Sequence, residues 1–302
     1  MLYKVGMNFM AYTLITSYAL YTNGTAAIPE GGSTKLVENI VNYFKALGGK
    51  LNLAKPVKEI KLEGKRAIGI ILGSGEQITA DYIICATDTE VTFGKLLDKT
   101  YMDQKLRKVY ECRTGYPVNS TFHVSFGIKG TESVGISTGS VIFPCNRFIV
   151  GNKEQDFLGI RLYDYDSKLF PADKRVIQCN ILQDETDYDH WEALYKNKEA
   201  YQKEKQRIVK AIEERIVKQY PLVEGKLIYL EAYSPMTFTK WCGAYKGAYM
   251  SFFEQKGYKS FYIKNNVKGL KNVFLASQWL QANGGLPVAA TSGKFAVCCM
   301  KK

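Results

Sequence analysis

Between residues 32 and 87 the sequence runs through three successive patterns, and their order limits the available folds more than any other feature. "GGSTKLVENIVNYFKALGGK" carries Leu36, Val37, Ile40, Val41, Phe44 and Leu47 on one helical face. Ser33 or Thr34 can cap such a helix by accepting a free backbone N–H, and Gly48–Gly49 can end it. Strand-like runs follow at Val57–Leu62, Ala67–Leu72 and Gln77–Thr79, joined by the turns "EGKR" and "GSGE". Then comes "YIICA", a short apolar run suited to a strand buried on both faces. Helix, small antiparallel ribbon and buried strand, in that order, predict a mixed α/β (α+β) chain.

From about Phe93 the pattern is different. "LLDKTYMDQKLRKVYEC" reads as helical, and "NSTFHVSFGI" and "RVIQCNILQD" read as strands. Trp191 to Tyr220 reads as one long charged helix with Ile208, Ile212 and Ile216 inward and Pro221 ending it. A strand "KLIYLEAYS", an aromatic-rich link, a short strand "NVFLAS", a glycine turn and a terminal helix complete the chain. No internal repeat is visible. The expected division is discontinuous: residues 1–92 and 234–302 form one region, and residues 93–233 form another. "FMAYTLITSYALY", Phe9 to Tyr21, is too short and too interrupted by Thr, Ser and Tyr to cross a membrane. It reads as a buried or substrate-facing helix.

Composition narrows the function classes. With 302 residues, 46% of them hydrophobic, the chain can bury the core of one large domain or two interlocked ones. The net charge of +12 favours anionic partners, but it is dispersed and no nucleic-acid motif accompanies it, so nucleic acid is not expected. Seven cysteines, an odd number without a CxxC, point to reduced thiols and a cytoplasmic setting. His123 and His190 are the only histidines and lie far apart. A zinc site or a histidine-based nucleophilic triad has little to be built from, so no metal is expected.

The last segment is the one with a chemical shape. "ANGGLPVAATSGKFAV", Ala282 to Val297, places two glycines and a proline at the start of a small-residue helix. Glycines permit close backbone approach, proline suits a first helical turn, and free N–H groups there attract electron density.

Taken together, "IPEGGSTKLVENIVNYFKALGGKL", "VKEI", "AIGIILGSGEQITADYIICAT", "SPMTFTKWCGAYKGAYMSFF" and "VFLASQWLQANGGLPVAATSGKFAV" resemble the phytoene desaturase and carotenoid isomerase group of FAD-dependent oxidoreductases, within the amine-oxidase-like flavoproteins. The resemblance runs from about Ile28 to Val297. It implies a partial FAD/NAD(P)-binding fold with a β-ribbon insert, plus a substrate domain of mixed sheet and helices. It implies that Val57 meets the adenine end of FAD through its backbone and that Ala86 and Thr87 pass near the dinucleotide. It implies that Gly284, Gly285, Leu286, Pro287 and Ala290 lie against the flavin. Trp241, Tyr245 and Tyr249 become candidates for lining the substrate site. No side chain is singled out as catalytic, because hydride chemistry belongs to the flavin.

Two departures accompany the resemblance. No GxGxxG occurs in the chain, and "GSG" at Gly73–Gly75 sits in a ribbon turn instead of between strand and helix. The expectation is therefore a C-terminal portion whose phosphate-binding unit lies in a missing N-terminal segment or a partner chain. The acidic residue often found shortly before the terminal glycines is replaced by "ASQW". The expected activity is hydride transfer to or from FAD on a lipophilic small-molecule substrate, polyenes included: a desaturase, saturase or isomerase, with peripheral membrane contact as a further expectation. The alternatives are an amine-oxidase-like flavoenzyme, or a non-catalytic remnant or subunit that needs a separate FAD-binding polypeptide.

Overall fold

The computed structural model describes residues 7–130, 132–137, 139–166, 171 and 173–301, with side chains from residue 14 onward. The chain divides into two compact units. One comprises Met1–Thr16, Asn52–Asn119 and Thr239–Lys302; the other comprises Ser17–Leu51 and Ser120–Phe238. Helix α1 (Met7–Thr22) forms where the apolar run predicts one. Its described side chains are not buried: Leu14, Ile15, Tyr18 and Tyr21 are exposed. Helix α2 (Gly32–Ala46) has the expected apolar face, yet none of its residues is buried. Its N-cap is Gly31 in place of Ser33 or Thr34, and the Gly31 N–H donates to the Asp166 carboxylate at 2.8 Å.

The ribbon of the first unit is β1 (Val57–Glu63), β2 (Arg66–Leu72) and β3 (Gln77–Thr79), antiparallel in chain order. Strand β4 (Ile83–Cys85) follows, then α3 (Thr89–Val91), which widens into a π-turn over Thr92–Leu96. Helix α4 (Gln104–Glu111) is shorter than the helical reading of Leu96–Cys112 because Asp98 and Asp103 each start a new turn by capping the backbone of Thr100 and Lys105.

The second unit carries a five-stranded antiparallel sheet. Its strands are β5 (Ser120–Lys129), β6 (Gly139–Val150), β7 (Lys153–Tyr163), β8 (Lys174–Gln183) and β9 (Leu227–Tyr233), ordered β6-β7-β8-β5-β9. The β6–β7 hairpin has no counterpart in the sequence reading. The predicted single helix over Trp191–Tyr220 is two, α5 (Glu185–Tyr195) and α6 (Lys198–Gln219). Asn197 breaks it: its side-chain oxygen accepts from the Ala200 N–H and restarts the helix. One sheet face presents Phe122, Val124 and Phe126, which pack in one core with Trp191, Ile208 and Ile212. Phe122 stacks on Trp191 at 5.3 Å.

The chain returns to the first unit at Thr239, inside the next helix. Helix α7 (Pro235–Cys242) occupies part of the aromatic-rich link, β10 (Val273–Leu275) pairs with β4, and α8 (Leu286–Met300) closes the chain. The β4–β10 pairing is parallel, Val273 with Ile83 through Leu275 with Cys85. Asn272 fastens this pair to the ribbon. Its buried amide donates to the Ala67 and Asp81 carbonyls and accepts from the Ala67 N–H. Asn265 does the same for α8, donating to the Leu275 and Ser292 carbonyls at 2.8 and 2.9 Å. The expected mixed α/β architecture, with separate sheet and helix regions, is present.

Candidate functional site

Because β4 and β10 are parallel, both leave the sheet at the same end. Ligands of open α/β sheets bind at the carboxyl ends of strands. From β10 the chain passes through one turn of 3₁₀ helix, Gln278–Leu280, into the glycine junction and α8. Asn283, Gly284 and Gly285 are all left-handed, with φ of 66°, 56° and 93°. Two bonds hold the junction: the Asn283 N–H donates to the Phe252 carbonyl at 2.8 Å, and the Gly285 N–H donates to Gln278 Oε1 at 2.9 Å.

The two glycines are needed for different reasons. A Cβ at Gly284 would stand 2.9 Å from Ser251 Cβ and N, and 3.1 Å from the Gln278 carbonyl oxygen. The close approach at Gly284 is thus to the protein's own chain. At Gly285 a Cβ would make only ordinary van der Waals contact, with Met250 Cε at 3.6 Å and Pro287 Cδ at 3.8 Å, so the backbone angle alone favours glycine. Beyond them Leu286 is 78% exposed, and Pro287 and Ala290 are also exposed.

At the end of β4, Ala86 and Thr87 are exposed, and Thr87 Oγ1 lies 2.8 Å from Thr92 Oγ1. Cys85 before them is buried, which pushes its thiol up to about 12 and leaves it no nucleophile at neutral pH. Val57 begins β1 opposite Leu72, partly exposed.

Sequence reasoning missed Asp88. It is buried, and its two oxygens serve different elements: Oδ1 accepts from the Glu90 N–H at 2.8 Å, Oδ2 from the Tyr245 N–H at 2.6 Å. Burial pushes its carboxyl up to about 6, against the downward pull of the bonds from Tyr245 and Glu90. The signal was present: Asp before "TEV" is an N-cap pattern. Its second partner lies 157 residues away and has no signal in the sequence.

The three aromatic candidates stand in different surroundings. Tyr245 belongs to a packed cluster, edge-on to Tyr110 at 5.1 Å and near Phe252 and Trp279 at 6.2 and 6.3 Å. The Arg113 guanidinium lies over Tyr245 and Phe252 at 5.7 and 5.1 Å. Tyr249 is half exposed, beside Phe253, and partial burial raises its phenol. Trp241 is 71% exposed on α7. Both nitrogens of His123 are engaged, with Asn180 Oδ1 at 2.7 Å and Ser125 Oγ at 2.9 Å. Among the described residues no group of three or more His, Cys, Asp or Glu could hold a metal, and no helix is long and apolar enough to cross a membrane.

The site as built offers a helix start where Leu286 and Val288 carry N–H groups with no partner inside the helix, a glycine at Gly285 that a Cβ would not crowd, and a run of small or apolar exposed side chains. That suits a flat ring with apolar faces and an electron-rich edge.

Comparison with known proteins points the same way. A sequence profile described as flavin containing amine oxidoreductase matches residues 9–301. Phytoene desaturase (lycopene-forming) from Paracoccus is 31% identical over 118 residues, 39% of this chain and 23% of that protein. 4,4'-Diaponeurosporene oxygenase from Staphylococcus aureus is 22% identical over 283 residues, 88% of this chain and 53% of that protein. The chain therefore spans less than a quarter of the first relative and about half of the second. An oxidoreductase from Methanosarcina mazei shares the fold, with a TM-score of 0.55 at 15% identity over 91% of this chain and 55% of that one.

Proposed function

Because the chain belongs to the flavin-containing amine oxidoreductases, we propose that it works as an amine-oxidase-like flavoprotein, its first unit forming the isoalloxazine side of an FAD site. The observation that carries this reading is the junction at the carboxyl ends of β4 and β10. There the exposed Ala86 and Thr87 come from one strand, and Gly285, Leu286 and Ala290 follow the other. The residues fit the group. Leu286 and Ala290, one turn apart on α8, offer exposed apolar surface that a ring would cover. The Leu286 and Val288 N–H groups at the start of α8 would favour added electron density on a flavin held there. When bound, FAD supplies the hydride acceptor or donor. The chain's own part is to orient the ring, exclude water from one face and set the electrostatics of that edge.

No GxGxxG lies within the 302 residues, so on this reading the diphosphate of FAD is held by a segment or chain beyond them. The second unit is the proposed substrate domain. The names of the carotenoid-related relatives favour a lipophilic polyene as the finer substrate reading, by desaturation, saturation or isomerisation; the family match favours an amine.

The test is a titration of the purified chain with FAD and with riboflavin, followed by flavin absorption. Saturable binding is expected for both, weaker than micromolar, with the two affinities within about tenfold because the dinucleotide half adds little. An absorption spectrum unchanged up to millimolar flavin would sink the reading. Submicromolar FAD affinity would sink its incomplete-site part. With loaded protein, anaerobic bleaching by an amine panel or by a polyene separates the two substrate readings.

A further inference from the structure

Asp88 carries more bonds than a helix cap requires. Helix α3, which it begins, covers only Thr89–Val91 before the π-turn. One oxygen is spent on that cap through Glu90. The other reaches the Tyr245 N–H and so anchors a turn whose backbone is unusual: Gly243, Lys246 and Gly247 have φ of 64°, 48° and 64°. A left-handed lysine is strained and persists only where its surroundings hold it. Gly243 packs against the same helix, with Val91 Cγ2 3.2 Å from where its Cβ would be.

From the anchored turn a continuous path leads to the glycine junction. The Tyr110 hydroxyl lies 2.8 Å from Thr89 Oγ1 and 3.4 Å from Asp88 Oδ1. Tyr110 sits edge-on to both Tyr245 and Phe252, at 5.1 and 4.9 Å. Phe252 is fully buried and edge-on to Trp279 at 5.1 Å, and its carbonyl receives the Asn283 N–H. Ser251, next to it, floors Gly284.

We infer that Asp88 is a positioning residue for the flavin-facing backbone: by holding Tyr245 it fixes Phe252, and through Phe252 it fixes the junction Asn283–Gly285. The flavin part of this inference rests on the reading above; the mechanical part does not. A carboxylate is the one side chain of this size that accepts at both oxygens. Asparagine keeps a single acceptor. It remains a good N-cap and so gives up the Tyr245 bond, because its NH2 group cannot accept.

Amide hydrogen exchange of the full chain by mass spectrometry tests the mechanical part, comparing wild type with Asp88→Asn and Asp88→Ser. Both variants can cap α3. Exchange is expected to quicken by about tenfold in peptides over residues 244–254 and 282–288, the loss of one hydrogen bond to a charged group, while residues 89–96 and the sheet of the second unit stay as they were. Unchanged exchange at 282–288, whether or not 244–254 or 89–96 change, overturns the inference. A parallel riboflavin titration is expected to show about tenfold weaker binding in the variants, by the same bond loss. If the wild type takes up no flavin while the exchange coupling holds, the proposed function falls and the positioning role stands. If flavin binds equally to all three proteins, the coupling to the site is refuted.

Discussion

Two of the three sheets described in this molecule, one in each unit, are held together by different means. The five-stranded sheet of the second unit is antiparallel, with strands of seven to twelve residues, and it sits on a wide apolar core. The β4–β10 pair of the first unit is parallel, with three residues in each strand. Parallel pairs are seldom stable alone and normally lie in covered, many-stranded sheets. Here the pair is fastened by buried amides, Asn272 to the ribbon and Asn265 to α8. The first kind of region depends on non-directional apolar area and tolerates small shifts. The second has a buried apolar cluster of its own, which includes Cys85, Val273 and Leu275, and adds to it directed bonds, each with a fixed length and partner.

Three measurements break or sharpen this contrast. The largest effect belongs to the apolar region. Trp191→Ala removes a fully buried ring stacked on Phe122, and a loss of about 3–5 kcal/mol in urea unfolding is expected, without change in hydrogen exchange at the glycine junction. A loss below 1 kcal/mol, or junction exchange that follows it, would mean that the two regions are not distinct.

The next effect is a pH dependence confined to the polar framework. The folded carboxyl of Asp88 is raised to about 6 from an ordinary value of 3.8. Between these values the folded state holds a proton that the unfolded state has released. Stability from this group is therefore complete below pH 4, falls as pH rises through 4 to 6, and is level above. The fall is on the order of 3 kcal/mol, at about 1.4 kcal/mol for each pH unit. Asp88→Asn should lack this step, so the step remains when the variant's stability profile is subtracted from that of wild type. A difference profile that is flat, or that rises over that window, contradicts the burial argument.

The smallest effect separates the two glycines. Gly284→Ala brings a methyl within 2.9 Å of Ser251, in addition to a left-handed backbone. Gly285→Ala meets nothing nearer than 3.6 Å. Both should lower stability by about 1–3 kcal/mol through the backbone, with Gly284 the more costly. Gly285 should show the larger loss of flavin binding for its loss of stability, because an added methyl there displaces none of the protein's own chain. Equal ratios in thermal melts and flavin titrations would remove the distinction.

Much of the local structure was legible. The ribbon was readable to within a residue at each strand, because alternation and two glycine turns specify it locally. The glycine junction was readable as a helix start, although the reason for Gly284 was not, since Ser251 is distant in the chain. Helix α2 was readable as an element, while the exposure of its whole apolar face was not. The long helix was divided in two by Asn197, whose capping role competes with helical periodicity that continues on both sides.

The sequence by itself determined the elements that depend on neighbours along the chain: strand alternation, helix caps, turns, and a family pattern in register over most of its length. Only the tertiary structure decided which distant groups meet. Asp88 with Tyr245, Asn272 with Ala67 and Ser251 with Gly284 are pairings of short polar or backbone groups, and such groups look alike wherever they occur in a sequence. Periodicity records which face of an element is apolar. It holds no record of the single partner that a buried hydrogen bond requires, because that partner is selected by the packing of whole elements against one another.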